Sequence, residues 1–453
     1  MDETRSGSRI DLLNGSIPRG LFWLALPIMG SQFIEMAYNL FDTMWVGQLG
    51  NQAVTAVGTA WSYMWIGQGL AMIPQIGGQV RAGQSIGEGD MEKARRYTGG
   101  SLHLMAALML AFTAVCIIFR HPLISFFKLH DSSTAASAEK YLLIVSLGYL
   151  MMGFNFVMQG LLTSTGDSKT SFKYKAVGLI LNIVLDPLVI YGVGPFPEWG
   201  INGAAIATVF SETVVSVLFA RFIARDDYLF DGYSFFRRSG TDEIAEMAKL
   251  GAPPALFSMI FAFITMVTSR FVVAYGDSAV AIQKIGAQIE AVSWMSSDGF
   301  AYAMNSFTAQ NYGARNYDRV RGVFRSGAWM MTAYGVFITA LLIFGAVPIF
   351  SIFINEPDII AGGATYLRIL GLSQLFICYE IVTTGAFNGL GKTKLPAVVS
   401  LITTGARIPL FYVAAPLLGG LSGIWWVISV SSIVKGSVLF LAYRRELSRL
   451  GRS

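Results

Sequence analysis

The sequence predicts an all-α integral membrane protein of twelve transmembrane helices, arranged as two six-helix lobes related by pseudo-twofold symmetry along the membrane normal. Composition supplies one reason. Hydrophobic residues make up 54% of the 453 and charged residues 13%, whereas a soluble domain carries about 25% charged residues. Internal duplication supplies the other. Residues 27–96 align with 253–322 at a constant offset of 226, which places Pro27 on Pro253, Gly50 on Gly276, Gln84 on Gln310, Gly87 on Gly313 and Arg95 on Arg321. A second block at offset 225 places Tyr141 on Tyr366, Gly166 on Gly391 and Lys169 on Lys394. An even number of spans per copy gives both lobes the same orientation, so the axis relating them lies along the normal.

Each apolar run is long enough to cross ~30 Å of hydrocarbon as a helix, and none has the ten-residue alternation of a membrane barrel. A polar leader, residues 1–19, carries Arg5, Arg9 and Arg19, and the run behind it is too long for a signal-peptide core. The N-lobe is 20–224. Span 1 (20–46) contains Glu35 and Asp42. Span 2 (54–80) is rich in glycine, including Gly67, Gly69, Gly77 and Gly78, which permit close helix contact and bending. Span 3 (97–119) contains His103 and Cys116, and span 4 (141–165) contains Asn155. Span 5 (171–193) holds Asn182, Asp186 and Pro187, and span 6 (201–224) holds Thr208. The linker, 225–245, sits in the longest polar stretch of the chain, is too short to build a core and reads as a solvated tether. The C-lobe is 246–443. Span 7 (246–273) carries Arg270 near its outer end, and span 8 (280–308) carries Lys284, Glu290 and Asp298. Span 9 covers 324–352. Span 10 (366–389) holds Arg368, Cys378 and Glu380, span 11 (395–417) holds Arg407, and span 12 covers 422–443. Residues 444–453 form a tail.

Lys and Arg crowd the N-terminus, the connections after even-numbered spans and the C-terminus, while the opposite connections hold only Arg120, Lys128 and Lys140. Both termini are therefore expected in the cytoplasm. Topology accounts for the net charge of +5, and the basic residues are too scattered to form a nucleic-acid stripe. The two cysteines give no disulfide framework or metal spacing, and His103, His121 and His130 lack ligand spacing. No catalytic residue, metal or cofactor is expected. The absence of a Walker motif and of convergent nucleophile and base argues against an ATP-driven pump and an enzyme. A channel would show a repeated polar ring, yet Asp42 aligns with Thr268.

A charge inside the bilayer is expensive, so an intramembrane carboxylate is a functional candidate. Glu35 and Asp42 lie on one helical face, with Tyr38 and Asn39 between them. Asp186 has Asn182 one turn earlier and Pro187 just after, and the proline is expected to kink the span and free a carbonyl. Spans 1 and 5 both run outward, which puts Asp42 and Asp186 ~6–10 Å below the outer surface by helical rise. Thr208 shares that depth and Asn155 is a little deeper. Asp42, Asp186, Asn182, Tyr38, Asn155 and Thr208 are therefore expected around one polar pocket in the outer half of the N-lobe. Two carboxylates in such a pocket do not easily both ionise, so one should exchange a proton. The competing reading is that each acid simply hydrogen-bonds a neighbouring helix. Secondary candidates are Glu35, Glu290, Glu380 and Arg407, and a Glu380–Arg407 ion pair, structural or coupling, is within geometric reach. Thirty-two Phe and nineteen Met provide soft, aromatic surface for varied flat molecules, although such residues also pack helices and face lipid.

Several segments carry a family resemblance. They are Gly87-Glu88-Gly89-Asp90-Met91-Glu92-Lys93-Ala94-Arg95, its copy Asn311-Tyr312-Gly313-Ala314-Arg315, Gln32 to Gly47, Gly160 to Lys169, and Gly385-Ala386-Phe387-Asn388-Gly389. In order, spacing and duplication they resemble the multidrug and toxic compound extrusion (MATE) transporters over about 20–443, and the N-lobe acids look like those of the DinF-like branch. The resemblance implies a secondary active multidrug efflux antiporter working by alternating access. It would export small organic, often cationic compounds in exchange for protons, or less readily sodium, with Asp42 and Asp186 at the positions of the coupling acids. With the resemblance goes the expectation of a monomer in the lipid bilayer, at the plasma (inner) membrane of a prokaryote. The alternative is a lipid or lipid-linked oligosaccharide flippase of related architecture, which would need a more cationic cavity than Arg407 supplies.

Overall fold

A peptide group in hydrocarbon has no water to bond, so each span must satisfy its backbone internally. The computed structural model describes residues 9–129, 131–232 and 239–451, and among these every regular element is a helix. Arg5 in the first part of the leader, His130, and Arg237 and Arg238 in the linker lie outside the described residues. Before the linker come α1 (Ile17–Gly47), α2 (Asn51–Glu88), α3 (Met91–Ile118), α4 (Arg120–Ser125), α5 (Ser132–Ser164), α6 (Lys169–Ile190) and α7 (Ile201–Ile223). After it come α8 (Thr241–Val273), α9 (Asp277–Gly313), α10 (Tyr317–Phe344), α11 (Ala346–Ser351), α12 (Pro357–Gly371), α13 (Gln374–Gly389), α14 (Lys394–Gly405), α15 (Arg407–Leu417) and α16 (Leu421–Arg449).

The twelve expected spans are all helical, two of them as pairs. Span 10 is α12 and α13, bent by 48°. At the bend Ser373 Oγ and Gln374 Nε2 both donate to the Leu370 carbonyl, at 2.8 and 3.3 Å, so side chains supply bonds that the interrupted ladder loses. Span 11 is α14 and α15, which meet at Ala406. Span 9 is shorter than expected, because α10 stops at Phe344 and 346–351 form the separate α11. Among the described residues, with α14 and α15 counted as one, eight helices are long and apolar enough to cross a membrane by length and composition, or nine with the bent pair. The three long helices that fall short are α2, α6 and α9. They carry polar side chains in their interiors, among them Gln75 and Gln79, Asn182 and Asp186, and Glu290 and Asp298.

The duplication is visible in local geometry. The turn after α2 has Gly89 at φ +79°, and Asp90 then caps α3 by accepting from the Lys93 N–H. The equivalent turn has Arg315 at φ +55°, and Asn316 caps α10 by accepting from Arg319. The left-handed conformation thus persists where the side chain that suits it does not. Helix crossings are also repeated. A Cβ at Gly160 of α5 would stand 2.8 Å from Gln75 Cγ of α2, and one at the equivalent Gly385 of α13 would stand 2.3 Å from the carbonyl oxygen of Ala301 in α9. Gln75 and Ala301 are themselves 226 apart.

The chain divides into two compact units, Met1–Ile10 with Gly30–Ala255, and Asp11–Met29 with Leu256–Ser453. The divisions fall inside α1 and α8, just beyond the equivalent Pro27 and Pro253. In the first unit the start of α8 packs on α2, where Gly251 meets the backbone of Ile73; in the second the start of α1 packs on α9, where Gly299 meets Met29. The linker, where described, is not the solvated tether expected from its charge. Leu229 and Phe230 are buried with Phe219, and Asp226 pairs with Arg9 while accepting from the Leu229 and Phe230 N–H groups. Two apolar residues within the polar run were enough to dock it.

Candidate functional site

In the first unit, α1, α2, α3, α5, α6 and α7 enclose a cavity of about 190 Å³. Helical spacing decides what each contributes. From α1, Glu35, Tyr38 and Asn39 share a face and line the cavity; from α2, one turn apart, come Trp61, Met64, Trp65 and Gln68. Tyr141, Met152, Asn155 and Phe156 project from α5, Lys175 from α6, and Thr208 and Glu212 from α7. Three of the six residues expected around a polar pocket, Tyr38, Asn155 and Thr208, therefore face the same space.

The other three lie behind this wall. Asp42, one turn beyond Tyr38, is 2% exposed, and Asn182 and Asp186 are fully buried. Asn182 Nδ2 donates to Asp186 Oδ1 at 3.0 Å, an i,i+4 contact. Asp186 Oδ2 and Asp42 Oδ1 have no hydrogen-bond partner among the described residues. Asp42 and Asp186 are close enough for each charge to act on Tyr38 and Tyr141, and that of Asp42 on Asp186. Each acid thus keeps one buried oxygen without a hydrogen-bond partner among the described residues, which is unusual for a buried polar atom.

The cavity has a second polar centre that sequence reasoning missed. Asn155 Nδ2 donates to Glu212 Oε2 at 2.7 Å and to the Glu212 carbonyl at 2.9 Å, and Ser216 Oγ donates to Asn155 Oδ1 at 2.9 Å. Glu212 lies mid-way along α7, one turn after Thr208. The cost of an intramembrane acid, which singled out Asp42, would have found it too. Glu35 accepts from Gln68 Nε2 at 3.1 Å and pairs with Lys175 at 3.6 Å. The charged lining is thus two carboxylates and one ammonium.

In the second unit the expected Glu380–Arg407 pair is replaced. Glu380 Oε1 pairs with Lys435 Nζ at 2.7 Å, and both side chains are largely buried. Arg407 instead donates from Nε to Ser431 Oγ at 2.7 Å and from Nη2 to Ser432 Oγ at 2.9 Å. The reason is the register of α16, which presents Ser431, Ser432 and Lys435 on one face. Lys435, deep in an apolar span, escaped the sequence reading. Glu290 has one oxygen buried without a partner, and its charge and that of Glu380 act on Arg407. His103 contacts Ser239, and His121 pairs with Glu139.

The MatE family model matches residues 27–188 and 253–413. The chain is similar to the probable multidrug resistance protein NorM of Thermotoga maritima, at 27% identity over 438 residues, covering 94% of this chain and 92% of that protein. It is similar to the FAD transporter of Shewanella oneidensis, at 24% identity and 96% coverage of each. Among solved structures, an outward-facing multidrug resistance MATE family transporter of the MOP superfamily matches with a TM-score of 0.91 at 24% identity, over 98% of this chain and 99% of that one. The last likeness concerns the fold alone. The family match falls on both copies of the internal repeat and takes in most of the sequence, and on that ground the chain belongs to the MatE family of multi-pass membrane transporters.

Proposed function

We propose that the protein is a secondary active antiporter that exports organic, often cationic compounds in exchange for protons, with Asp42 and Asp186 as the coupling acids. The observation that carries this reading is the buried acid pair with unpartnered oxygens behind the wall of an aromatic cavity. Neither acid has a basic partner among the described residues, so their charge is available to an ion that comes and goes. A carboxylate that takes up a proton turns from acceptor to donor, and two acids in one low-dielectric site share protons rather than both ionising. The negative charge that attracts a cationic cargo is then cancelled by the incoming proton, and cargo and proton alternate. Trp61, Trp65 and Phe156 offer ring faces to a cation, and Met64, Met109 and Met152 adapt to varied shapes. Two carboxylates against Lys175 leave the lining net negative. The name of the Thermotoga relative supports a drug-like cargo, and the position of the acids fits the DinF-like branch.

The test is uptake of a fluorescent organic cation into proteoliposomes, with proton and sodium gradients imposed separately. Uptake driven by the proton gradient in wild type, reduced to the passive leak in folded Asp42→Asn and Asp186→Asn, is the expected result. Sodium-driven uptake would make the pocket a metal-ion site. Uptake with neither gradient would shift the reading to the flippase.

A further inference from the structure

A second cavity, of about 500 Å³, lies in the other unit, on the outer surface of the helix bundle near the chain's C-terminal end. Two helices, α10 and α16, each pack on α13, which supplies its floor. The walls follow from helical spacing. Arg321, Arg325 and Trp329 succeed one another at i, i+4 and i+8 along α10, and Phe440 and Arg444 are one turn apart on α16. All three arginines therefore collect at the end of the cleft nearest the C-terminus, the end of α10 and α16 at which Arg319, Arg445 and Arg449 also lie. The aromatic residues lie ~6 Å further in by helical rise. At the floor Tyr379 stacks on Phe440, with ring centroids 4.7 Å apart. Trp329 is 69% exposed on the bundle's outer surface.

The arginines are not equivalent. Arg321 is engaged by Asp318 at 2.6 Å and by the Leu450 carbonyl at 2.6 Å. Arg325 and Arg444 are exposed and make no hydrogen bond or ion pair among the described residues. A cleft with an uncompensated cationic mouth and an aromatic interior open to the side asks for a ligand with both an anionic and an apolar part. A soluble anion would leave the aromatic interior bare, and a neutral lipid would leave the two guanidinium groups unpaired. We infer that the cleft binds one anionic glycerophospholipid, its phosphate between Arg325 and Arg444 and an acyl chain along Trp329, Phe440 and Tyr379. Basic pockets between spans at a charged membrane surface bind acidic headgroups in this way.

The experiment is native mass spectrometry of the full-length protein titrated with phosphatidylglycerol or phosphatidylcholine of matched chains. The wild type should bind one phosphatidylglycerol in preference to phosphatidylcholine. The variant R325Q/R444Q should bind it about thirtyfold more weakly, roughly five- to sixfold per arginine. The matched variant R445Q/R449Q removes two exposed charges outside the cleft and should stay within about twofold of wild type on the same scale. Equal weakening in both pairs would reduce the effect to diffuse surface charge. Equal affinity for the two lipids would leave an apolar groove only, and displacement by inorganic phosphate would make it a small-anion site; each overturns the proposal. Should R325Q/R444Q fail to fold, W329A keeps the charges and tests the apolar half, and unchanged phosphatidylglycerol binding by W329A would overturn it as well.

Discussion

At the scale of single residues, the N-terminal cavity separates two kinds of carboxylate. Asp42 and Asp186 are buried behind its wall, and Glu35 and Glu212 face the space itself. If the first pair couples and the second selects, their variants should fail differently. Glu212→Gln keeps an acceptor for Asn155 and removes one negative charge. It is expected to weaken binding of a monovalent organic cation about tenfold, or ~1.4 kcal/mol, while leaving proton-driven uptake of a neutral compound unchanged. Isothermal titration with cationic and neutral analogues checks this, and equal loss for both would assign Glu212 a structural role. In the second unit Lys435 answers Glu380 directly. That carboxylate is neutralised in place, whereas Asp42 and Asp186 have no basic partner among the described residues.

At the scale of elements, close helix crossings and caps carry the load. Gly160 and Gly385 occupy equivalent crossings, yet they face different atoms. A side chain at Gly385 meets backbone at Ala301, which cannot step aside, whereas one at Gly160 first meets the flexible side chain of Gln75. Gly385→Val is therefore expected to destabilise by about 1–3 kcal/mol and Gly160→Val by less, as read from thermal unfolding in detergent. The reverse order would show that the α2–α5 crossing is the less adaptable one. Asp131 caps α5, and hydrogen bonds from Ser133 and Thr134 pull its carboxyl from 3.8 down to about 2. Because the folded value is depressed, the cap's contribution is complete above the unfolded value and is lost as pH falls from there towards the folded one. Protection of the first-turn amides of α5 should drop across that interval in wild type. Asp131→Asn caps without titrating and should show no such step.

At the scale of the whole molecule, the duplication preserves architecture and changes chemistry. The two most closely packed helix pairs, α2 with α5 and α9 with α13, are equivalent, and Tyr141 and Tyr366 are buried alike. α7 and α16 each begin after a glycine of positive φ, Gly200 and Gly420. In that register the polar interior reuses the same places with different groups. Asn155 corresponds to Glu380, Asn182 to Arg407 and Glu212 to Ser432, while Asp42 corresponds to Thr268 and Asp186 to Phe411. At these equivalent positions the first unit holds Asp42 and Asp186, and the second an ion pair and a guanidinium bound by hydroxyls, although Glu290 of the second unit also keeps an unpartnered oxygen. The duplicated scaffold has thus kept its helix crossings and diverged in its polar interior.

Much of this was legible in the sequence because hydrocarbon leaves a chain few options. Run length and the low charge content dictated helices, the offset dictated two copies, and the cost of a buried carboxylate pointed to Asp42 and Asp186 before any coordinates. The i,i+4 spacing of Asn182 and Asp186 was enough to foresee their contact. What the sequence could not decide was partner choice between helices distant in the chain. Glu380 had Arg407 and Lys435 within reach, and only the rotation of α16 about its axis gave it the lysine and gave Arg407 the serines. The docking of Leu229 and Phe230, the bend at Ser373 and the joining of Asn155 to Glu212 have the same cause. A one-dimensional pattern specifies which face of a helix is apolar, while the rotation and depth at which two faces meet is set by packing against every neighbour at once.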